Sequence, residues 1–252
     1  MVITAILTTT IMMGIIMSDP ENHFSPLALL RLQSWLSPAF PTGSYSYSHG
    51  IEWAVEAGYV WDRQSLVDWL ATDLFYGSGR NEAIFFSEAW RCAIDDAPAK
   101  LFEIAQLAAA FRGTSEFALE SSQQAAACLA TLRQVWPDPV LDWLVGVLRE
   151  RHVPPALAVV LGLRSARQGI PASWALPAFL QSYVANLVTA GVRLIPLGQT
   201  DGQLAIAELE ECVCAASGQA KTATIDDLGS AAFMVDLASM THETQYTRLF
   251  RS

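Results

Sequence analysis

The side chains in this sequence that could do chemistry are few, and the most suggestive group is Ser46, His49 and Glu52. These are the residue types of a hydrolytic triad, in which histidine takes the serine proton and a carboxylate orients the histidine. The Gly-x-Ser-x-Gly turn that presents such a serine is missing around Ser46, and residues this close around one helix start cannot easily surround a substrate. The sequence therefore favours a helix-capping serine, with a hydrolase as the alternative.

Metal binding needs ligands that converge on one point, which in a helix means residues three or four apart. Cys212 and Cys214 are two apart, so they point to opposite sides of their helix. The histidines, isolated from cysteine and from one another, are His23, His49, His152 and His242. We therefore expect no metal ion and no other cofactor to be bound by this chain, although a site shared between two copies stays open.

A phosphate-binding loop needs glycines whose bare backbone wraps the phosphates, followed by lysine and then serine or threonine. The nearest match, Gly218-Gln219-Ala220-Lys221-Thr222, lacks both the spacing and the glycine before the lysine. Acidic residues outnumber basic ones by 25 to 15, and the net charge of −10 repels a phosphate backbone. Nucleotide and nucleic acid are therefore not expected as ligands.

Apolar residues recur at helical spacing along the chain, and after residue 20 no stretch alternates with the period of a strand. The pattern predicts an all-α fold, a single compact helical domain of about nine to eleven helices over residues 25–240. Asp62 is a candidate cap for one helix. Thr200, with Gln203 three residues on, has the pattern of a capping box for a helix that Gly218 ends.

The segment from Pro177 to Ile195 is the best candidate for a central helix. Its apolar stripe consists of Leu180, Tyr183, Leu187, Ala190 and Leu194. A second stripe, polar and almost uncharged, consists of Ser182, Asn186, Thr189 and Arg193. Arg193 has two interpretations: a group that reaches a partner's nucleotide, or a positive charge that closes the C-terminal end of the helix.

Residues 1–24 precede the first amphipathic helix and contain an uncharged apolar run from Met1 to Met17. A signal region or marginal membrane span would have that composition, but the expected positive flank is missing. We predict a flexible extension, or a start placed too early, because Met12, Met13 and Met17 offer internal starts. Few, scattered cysteines in a chain without a clear secretory signal indicate reduced thiols in a cytoplasmic protein. Since the N-terminal run lacks its positive flank, we expect no membrane partner.

Three polar and aromatic segments are not required by helix packing. Residues 41–50 (PTGSYSYSHG) combine tyrosine, serine and glycine, a composition typical of recognition surfaces, although an ordinary connector is an equal alternative. Residues 196–203 (PLGQTDGQ) place two glycines beside amide side chains. Residues 242–252 (HETQYTRLFRS) put tyrosine and arginine on what should be a frayed end, so we predict a tail over 241–252 that orders on a partner.

The candidate partner-binding residues lie in these segments, on the helix that follows the first of them, and at the end of the polar stripe. They are Pro41, Gly43, Tyr45, Tyr47, Glu52, Arg193, Gln199, Asp201, His242, Glu243, Tyr246, Arg248, Phe250 and Arg251.

In this order and spacing the three segments closely resemble the UreF family of urease accessory proteins, over nearly the whole chain after about residue 25. The longest matching stretch, residues 36–52, is LSPAFPTGSYSYSHGIE. Departures are slight: Ile51 stands where leucine is usual, and Thr247 where serine is usual. The resemblance implies an all-helical homodimer without a catalytic site.

The resemblance also implies a set of partners. The chain would bind the accessory protein UreD, also called UreH, partly through its C-terminal tail, and would recruit the nickel-carrying GTPase UreG. The assembly would act on the urease apoprotein, where nickel is inserted at a carbamylated lysine, so the partners would handle nickel and GTP. Three function classes follow for testing: a scaffold, a regulator of GTP hydrolysis by UreG, and the hydrolase.

Overall fold

The computed structural model describes residues 25–251 and contains, in that part of the chain, eleven α-helices, two short 3₁₀ helices and no strand. The α-helices are α1 (Pro26–Leu36), α2 (Ile51–Glu56), α3 (Arg63–Tyr76), α4 (Ser78–Ile94), α5 (Pro98–Ala110), α6 (Ser115–Val135), α7 (Pro139–Glu150), α8 (Leu157–Arg167), α9 (Ala172–Leu194), α10 (Gln199–Ala220) and α11 (Phe233–His242). The 3₁₀ helices are Ser44–Ser46 and Ile225–Asp227. The predicted all-α class is confirmed, while the predicted extension over 1–24 lies outside the described residues.

Capping residues set several helix ends, as the sequence indicates. The Asp62 carboxylate accepts the Ser65 N–H at 2.9 Å, and the Asp62 N–H donates to the Ser65 hydroxyl at 3.0 Å. The capping box predicted at Thr200 is wrong: α10 begins at Gln199, and the Asp201 carboxylate accepts the Gly198 N–H at 3.1 Å. The negative charge of Asp201 in the first turn also favours a helix start at this position.

The predicted central helix is α9, which packs against α1, α2, α3, α4, α8 and α10. Leu180, Leu187 and Ala190 of its apolar stripe are buried in the core, and Tyr183 and Leu194 are half-buried against it. The helix begins before the predicted start, because Ala175 and Leu176 are also fully buried and Pro177 lies inside the helix. By length and composition α9 is the one described helix that could cross a membrane, and half of that stretch is buried inside the protein. A core helix has the same properties.

Helices α4 and α8 pack closely on each other, and a glycine makes their approach possible. A Cβ atom at Gly162 would lie 2.3 Å from the carbonyl oxygen of Phe86. Both backbones are helical and cannot give way without moving a whole helix. Gly162 therefore sets the distance between two helices that carry much of the core, including Phe85 and Leu161.

The last helix, α11, packs on α2 and α6, and the C-terminal segment that follows it begins beside these two helices. Gly50, with φ of +78°, allows the chain before α2 to touch it, since a Cβ there would lie 2.8 Å from the Ser239 nitrogen. The helix buries Val235, Ala238, Ser239 and His242. Three large apolar side chains at helical spacing on this helix, Phe233, Leu237 and Met240, are exposed.

We expect Gly162→Ala to destabilise the protein, because the added methyl group must displace the backbone of α4. Overpacking of this kind costs about 1–3 kcal/mol, which chemical denaturation would measure. Gly146→Ala on α7 is the matched control, since a Cβ there meets nothing within 4 Å. That substitution should stabilise by up to about 1 kcal/mol through helix propensity. Equal effects of the two substitutions would contradict the close α4–α8 contact.

Candidate partner-binding site

The C-terminal segment is folded against the protein's own surface. The Leu249 N–H donates to Glu52 Oε1 at 2.6 Å, and the Phe250 N–H donates to Glu52 Oε2 at 2.9 Å. One residue further, the Arg251 N–H donates to the Ser46 carbonyl at 2.8 Å. Phe250 is buried, with 4% of its surface exposed. The sequence predicts a frayed end here, and the structure differs because the Glu52 carboxylate supplies the acceptors that fix the backbone.

Arg193, near the end of α9, contacts both the loop before α2, through Tyr45, and the C-terminal segment, through Phe250. Its guanidinium carbon lies 3.9 Å from the ring centre of Tyr45 and 4.3 Å from that of Phe250. Its Nη1 atom also donates to the Tyr45 carbonyl at 2.8 Å. A cation between two aromatic faces is attracted by both rings, and its planar fork stacks on them. We call these residues, Tyr45, Glu52, Arg193 and Phe250, the tail platform.

A buried ion-pair cluster supports the platform from beneath. His242 is fully buried, with Nδ1 2.8 Å from Glu116 Oε2 and Nε2 3.1 Å from Glu52 Oε2. Arg248 Nη1 lies 3.2 Å from Glu116 Oε1. Burial raises the pKa of the Glu116 carboxyl above its ordinary value, although His242 and Arg248 act in the opposite direction. We call His242, Glu52, Glu116 and Arg248 the His242 cluster.

A second buried network surrounds His49. Its Nδ1 lies 3.1 Å from Glu120 Oε2 and its Nε2 lies 2.5 Å from the Ser78 hydroxyl. That hydroxyl donates to Asp73 at 2.8 Å, and the Tyr183 hydroxyl donates to the same carboxylate at 2.7 Å. Burial lowers the pKa of His49, but the carboxylates of Glu120, Asp73 and Glu82 together outweigh burial, and the pKa is raised.

The contacts of His49 differ from those that a hydrolytic triad of Ser46, His49 and Glu52 would need. Ser46 and Glu52 do not contact His49, which pairs instead with Ser78 and Glu120. Because the Ser78 proton is donated to Asp73, Nε2 of His49 must itself donate to Ser78, and both ring nitrogens then carry protons. A protonated ring cannot take a proton from serine. The geometry is that of a buried ion-pair network.

The His49 network faces a cavity of about 580 Å³. The polar stripe of α9 lines it through Ser182, Asn186 and Thr189. Two of these side chains hold the backbone around the first segment: the Ser182 hydroxyl donates to the Leu36 carbonyl at the end of α1, and the Asn186 amide donates to the Ser44 carbonyl within the segment. Over residues 25–251, no group of three or more His, Cys, Asp or Glu side chains has the arrangement of a metal site.

The remaining candidate residues fall into two classes. Tyr47 is buried, and its hydroxyl donates to Gln123 at 2.6 Å, whereas Pro41 and Gly43 are exposed in the loop. Gly43 has φ of +74°, which glycine adopts without strain. Gln199 is exposed at the start of α10. A partner-binding role for each of these residues stays a prediction.

Within the tail, some residues are hydrogen bonded to the helical domain and others expose their side chains to solvent. Glu243 accepts the Ser115 hydroxyl at 2.5 Å. Tyr246 is fully exposed, and Leu249 keeps more than half of its surface exposed. The tail therefore presents two large side chains to solvent from a backbone fixed on both sides of them.

Sequence reasoning did not find Glu116 or Glu120. They lie one helical turn apart on α6 and face His242 and His49, respectively. The available signal was two acidic residues at a spacing of four in a helix that buries its Phe117. Such residues usually lie on a solvated face, so the sequence alone does not show that they are buried.

We expect Glu52→Gln to release the tail, because the amide has one acceptor oxygen in place of a carboxylate that accepts two backbone N–H groups. Hydrogen bonds to a charged group contribute about 1.5–3 kcal/mol, so trypsin cleavage after Arg248 should accelerate roughly tenfold or more. Glu103→Gln, at an exposed position on α5, is the control. Cleavage at the wild-type rate in a folded Glu52→Gln variant would contradict the clamp.

Comparison with known proteins gives the family. A family model described as UreF matches residues 60–210. "Urease accessory protein UreF" of Rhodopseudomonas palustris (strain BisB5) is 47% identical over 233 residues, which cover 92% of this chain and 95% of that protein. The protein of that name from Granulibacter bethesdensis is 46% identical over 233 residues, covering 92% of this chain and 98% of the relative. The chain belongs to the UreF family of urease accessory proteins.

Proposed function

We propose that this chain is a cytoplasmic scaffold for urease maturation that acts as a homodimer and has no catalytic site of its own. In this proposal it binds UreD (UreH), recruits the GTPase UreG, and presents the assembly to the urease apoprotein for nickel insertion. Family membership supports the link to urease. The observation that carries the partner-binding role is the docked tail, which holds Tyr246 fully exposed.

The tail platform suits protein recognition for a physical reason. Binding costs free energy whenever a flexible segment must be ordered, and a tail that is already fixed avoids much of that cost. Glu52 and Arg193 fix the backbone on one side of Tyr246, and α11 fixes it on the other. An exposed tyrosine on a preordered backbone is a typical hot-spot residue. We propose that UreD contacts this part of the surface.

Nickel and GTP are assigned to the partners in this proposal. The ring nitrogens of His49 and His242 face carboxylates or a serine hydroxyl in the isolated chain, so a metal ion would have to displace those partners. Burial raises the pKa of the Cys128 thiol to about 12, which disfavours the thiolate that binds metals. Both observations favour a chain that positions other proteins.

Regulation of GTP hydrolysis by UreG is the finer part of the proposal. An arginine that assists phosphoryl transfer must reach the partner's nucleotide. Arg193 is stacked between Tyr45 and Phe250, so it could reach a nucleotide only if the platform opened. The stacking favours a structural role for Arg193, and we propose that any influence on UreG acts through the shape of the platform.

We expect Tyr246→Ala to weaken UreD binding at least tenfold, about 1.4 kcal/mol or more, without changing the melting temperature. Co-purification and calorimetry with UreD would measure it. Tyr76→Ala, at another exposed tyrosine at the end of α3, is the matched control and should bind normally. Unchanged affinity of both the Tyr246 variant and a chain lacking residues 246–252 would reject the tail as the UreD contact.

A further inference from the structure

We propose that Arg31, Arg164 and Arg167 form a docking surface for an acidic segment of a partner polypeptide. Carboxylates of that segment pair with the guanidinium groups, and its apolar side chains cover exposed leucines of α1. We call the three arginines the arginine cluster. Arg167 precedes α9 by a short turn, whereas Arg193 of the tail platform lies near the end of that helix, roughly 30 Å away at 1.5 Å per residue. The arginine cluster is therefore separate from the tail platform.

The three guanidinium groups share a single carboxylate. Asp138 Oδ2 accepts a hydrogen bond from Arg164 Nη1 at 3.1 Å and another from Arg167 Nε at 3.3 Å. Arg31 donates from Nη1 to the amide oxygen of Gln168, which carries no charge. Over residues 25–251, no other carboxylate lies within 4 Å of these three groups. Three positive charges therefore face one negative charge.

These charges are close enough to act on one another. Burial lowers the pKa of the Arg164 guanidinium below its ordinary value, Asp138 acts in the opposite direction, and the positive charges of Arg31 and Arg167 lower the pKa further. Arg164 is 2% exposed, and its Nε atom has no hydrogen-bond acceptor in the described part of the chain. The Nε atom of Arg31 is buried without an acceptor as well. The chain itself thus leaves the arginine cluster short of both negative charge and acceptors.

The end of α8 supplies only part of the missing negative charge. Arg164 and Arg167 lie in its last turn, where the helix dipole favours cations. That dipole corresponds to about half an elementary charge, whereas two positive charges are in excess. More than one charge therefore stays unbalanced, in a chain whose net charge is −10. An anion from outside would balance it.

Arg167 presents the donors that such an anion needs. Its side chain is 40% exposed. Among the described residues it makes a hydrogen bond only through Nε, so both terminal nitrogens are left to donate. Two N–H groups at the end of a guanidinium match the two oxygens of a carboxylate, or two oxygens of a phosphate.

The neighbouring side chains favour a polypeptide over a phosphate group. Leu27 precedes Arg31 by four residues, so the two share a face of α1. Leu27 and Leu30 are 54% and 59% exposed. A phosphate ion would leave both leucines in water, whereas a segment that carries carboxylates and apolar side chains covers the leucines and pairs with the arginines. We therefore assign the surface to an acidic segment with apolar residues.

Fluorescence anisotropy with the full-length protein tests this assignment. The probe is a labelled peptide of about twelve residues made of glutamate and leucine. It should bind with a dissociation constant below about 1 mM, more weakly as salt is added. Arg31→Gln and Arg167→Gln should each weaken binding about twofold to fivefold. Arg151→Gln removes the same charge at an exposed position beyond the far end of α7, and should bind as the wild type does.

Leu27→Gln distinguishes a peptide site from a small-anion site. It should weaken binding of the peptide at least twofold, because the apolar contact is lost. Like Arg167, Leu27 is exposed, so both variants should keep the wild-type melting temperature. If inorganic phosphate displaces the peptide fully and Leu27→Gln has no effect, the surface binds small anions and the proposal is wrong.

Three further results would overturn the proposal. One is equal binding, or no binding up to about 1 mM, of this peptide and of a peptide with glutamine in place of glutamate. Another is an effect of Arg151→Gln as large as that of Arg167→Gln. The third is a change in the oligomeric state of the chain in Arg167→Gln, which would assign the surface to a second copy. Tyr246→Ala should leave peptide binding unchanged, so failure of the tail contact and failure of this surface can be told apart.

Discussion

The buried carboxylate of Glu52 is the constraint on which this side of the molecule depends. A carboxylate that is removed from water must be fully hydrogen bonded, and Glu52 obtains its donors from His242 and from the backbone of Leu249 and Phe250. Those donors belong to α11 and to the C-terminal segment, while Glu52 itself lies on α2. One side chain thus joins three separate parts of the chain, and releasing α11 or the C-terminal segment would leave the buried charge with fewer hydrogen bonds.

Helix α6 also carries buried carboxylates that are paired with residues far away in the chain. Glu116 and Glu120, one turn apart, each face a histidine, and the Phe117 ring between them stacks on His49 at 3.9 Å. The two histidines come from the first and third recognition-like segments of the sequence, so α6 links those segments through charge. The aromatic and ionic contacts together explain why a polar segment and a short tail are held on a helical domain. The second segment is different, since Asp201 serves the start of α10.

The fold could be predicted from the sequence much better than the site. Apolar spacing and caps such as Asp62 are local signals, and they indicate helices well. The predicted start of α9 was too late, because the preceding turn is also buried through Ala175. The predicted cap of α10 was wrong, because the Asp201 carboxylate is the acceptor at that end. The sequence identified the tail residues as candidates for partner binding, but it did not predict that the tail is bound to Glu52 and Arg193 of the same chain. Whether Phe250 lies free or on Arg193 depends on contacts between residues far apart in the chain, which no spacing rule encodes.

The central claim is that the tail is docked on its own chain before any partner binds. Solution NMR of the isolated full-length protein tests it most directly, through nuclear Overhauser contacts between the Phe250 ring and the Arg193 side chain. We expect those contacts, together with shifted amide resonances for Leu249 and Phe250 that reflect their bonds to Glu52. Random-coil shifts throughout the tail, with no contact to Arg193, would contradict it.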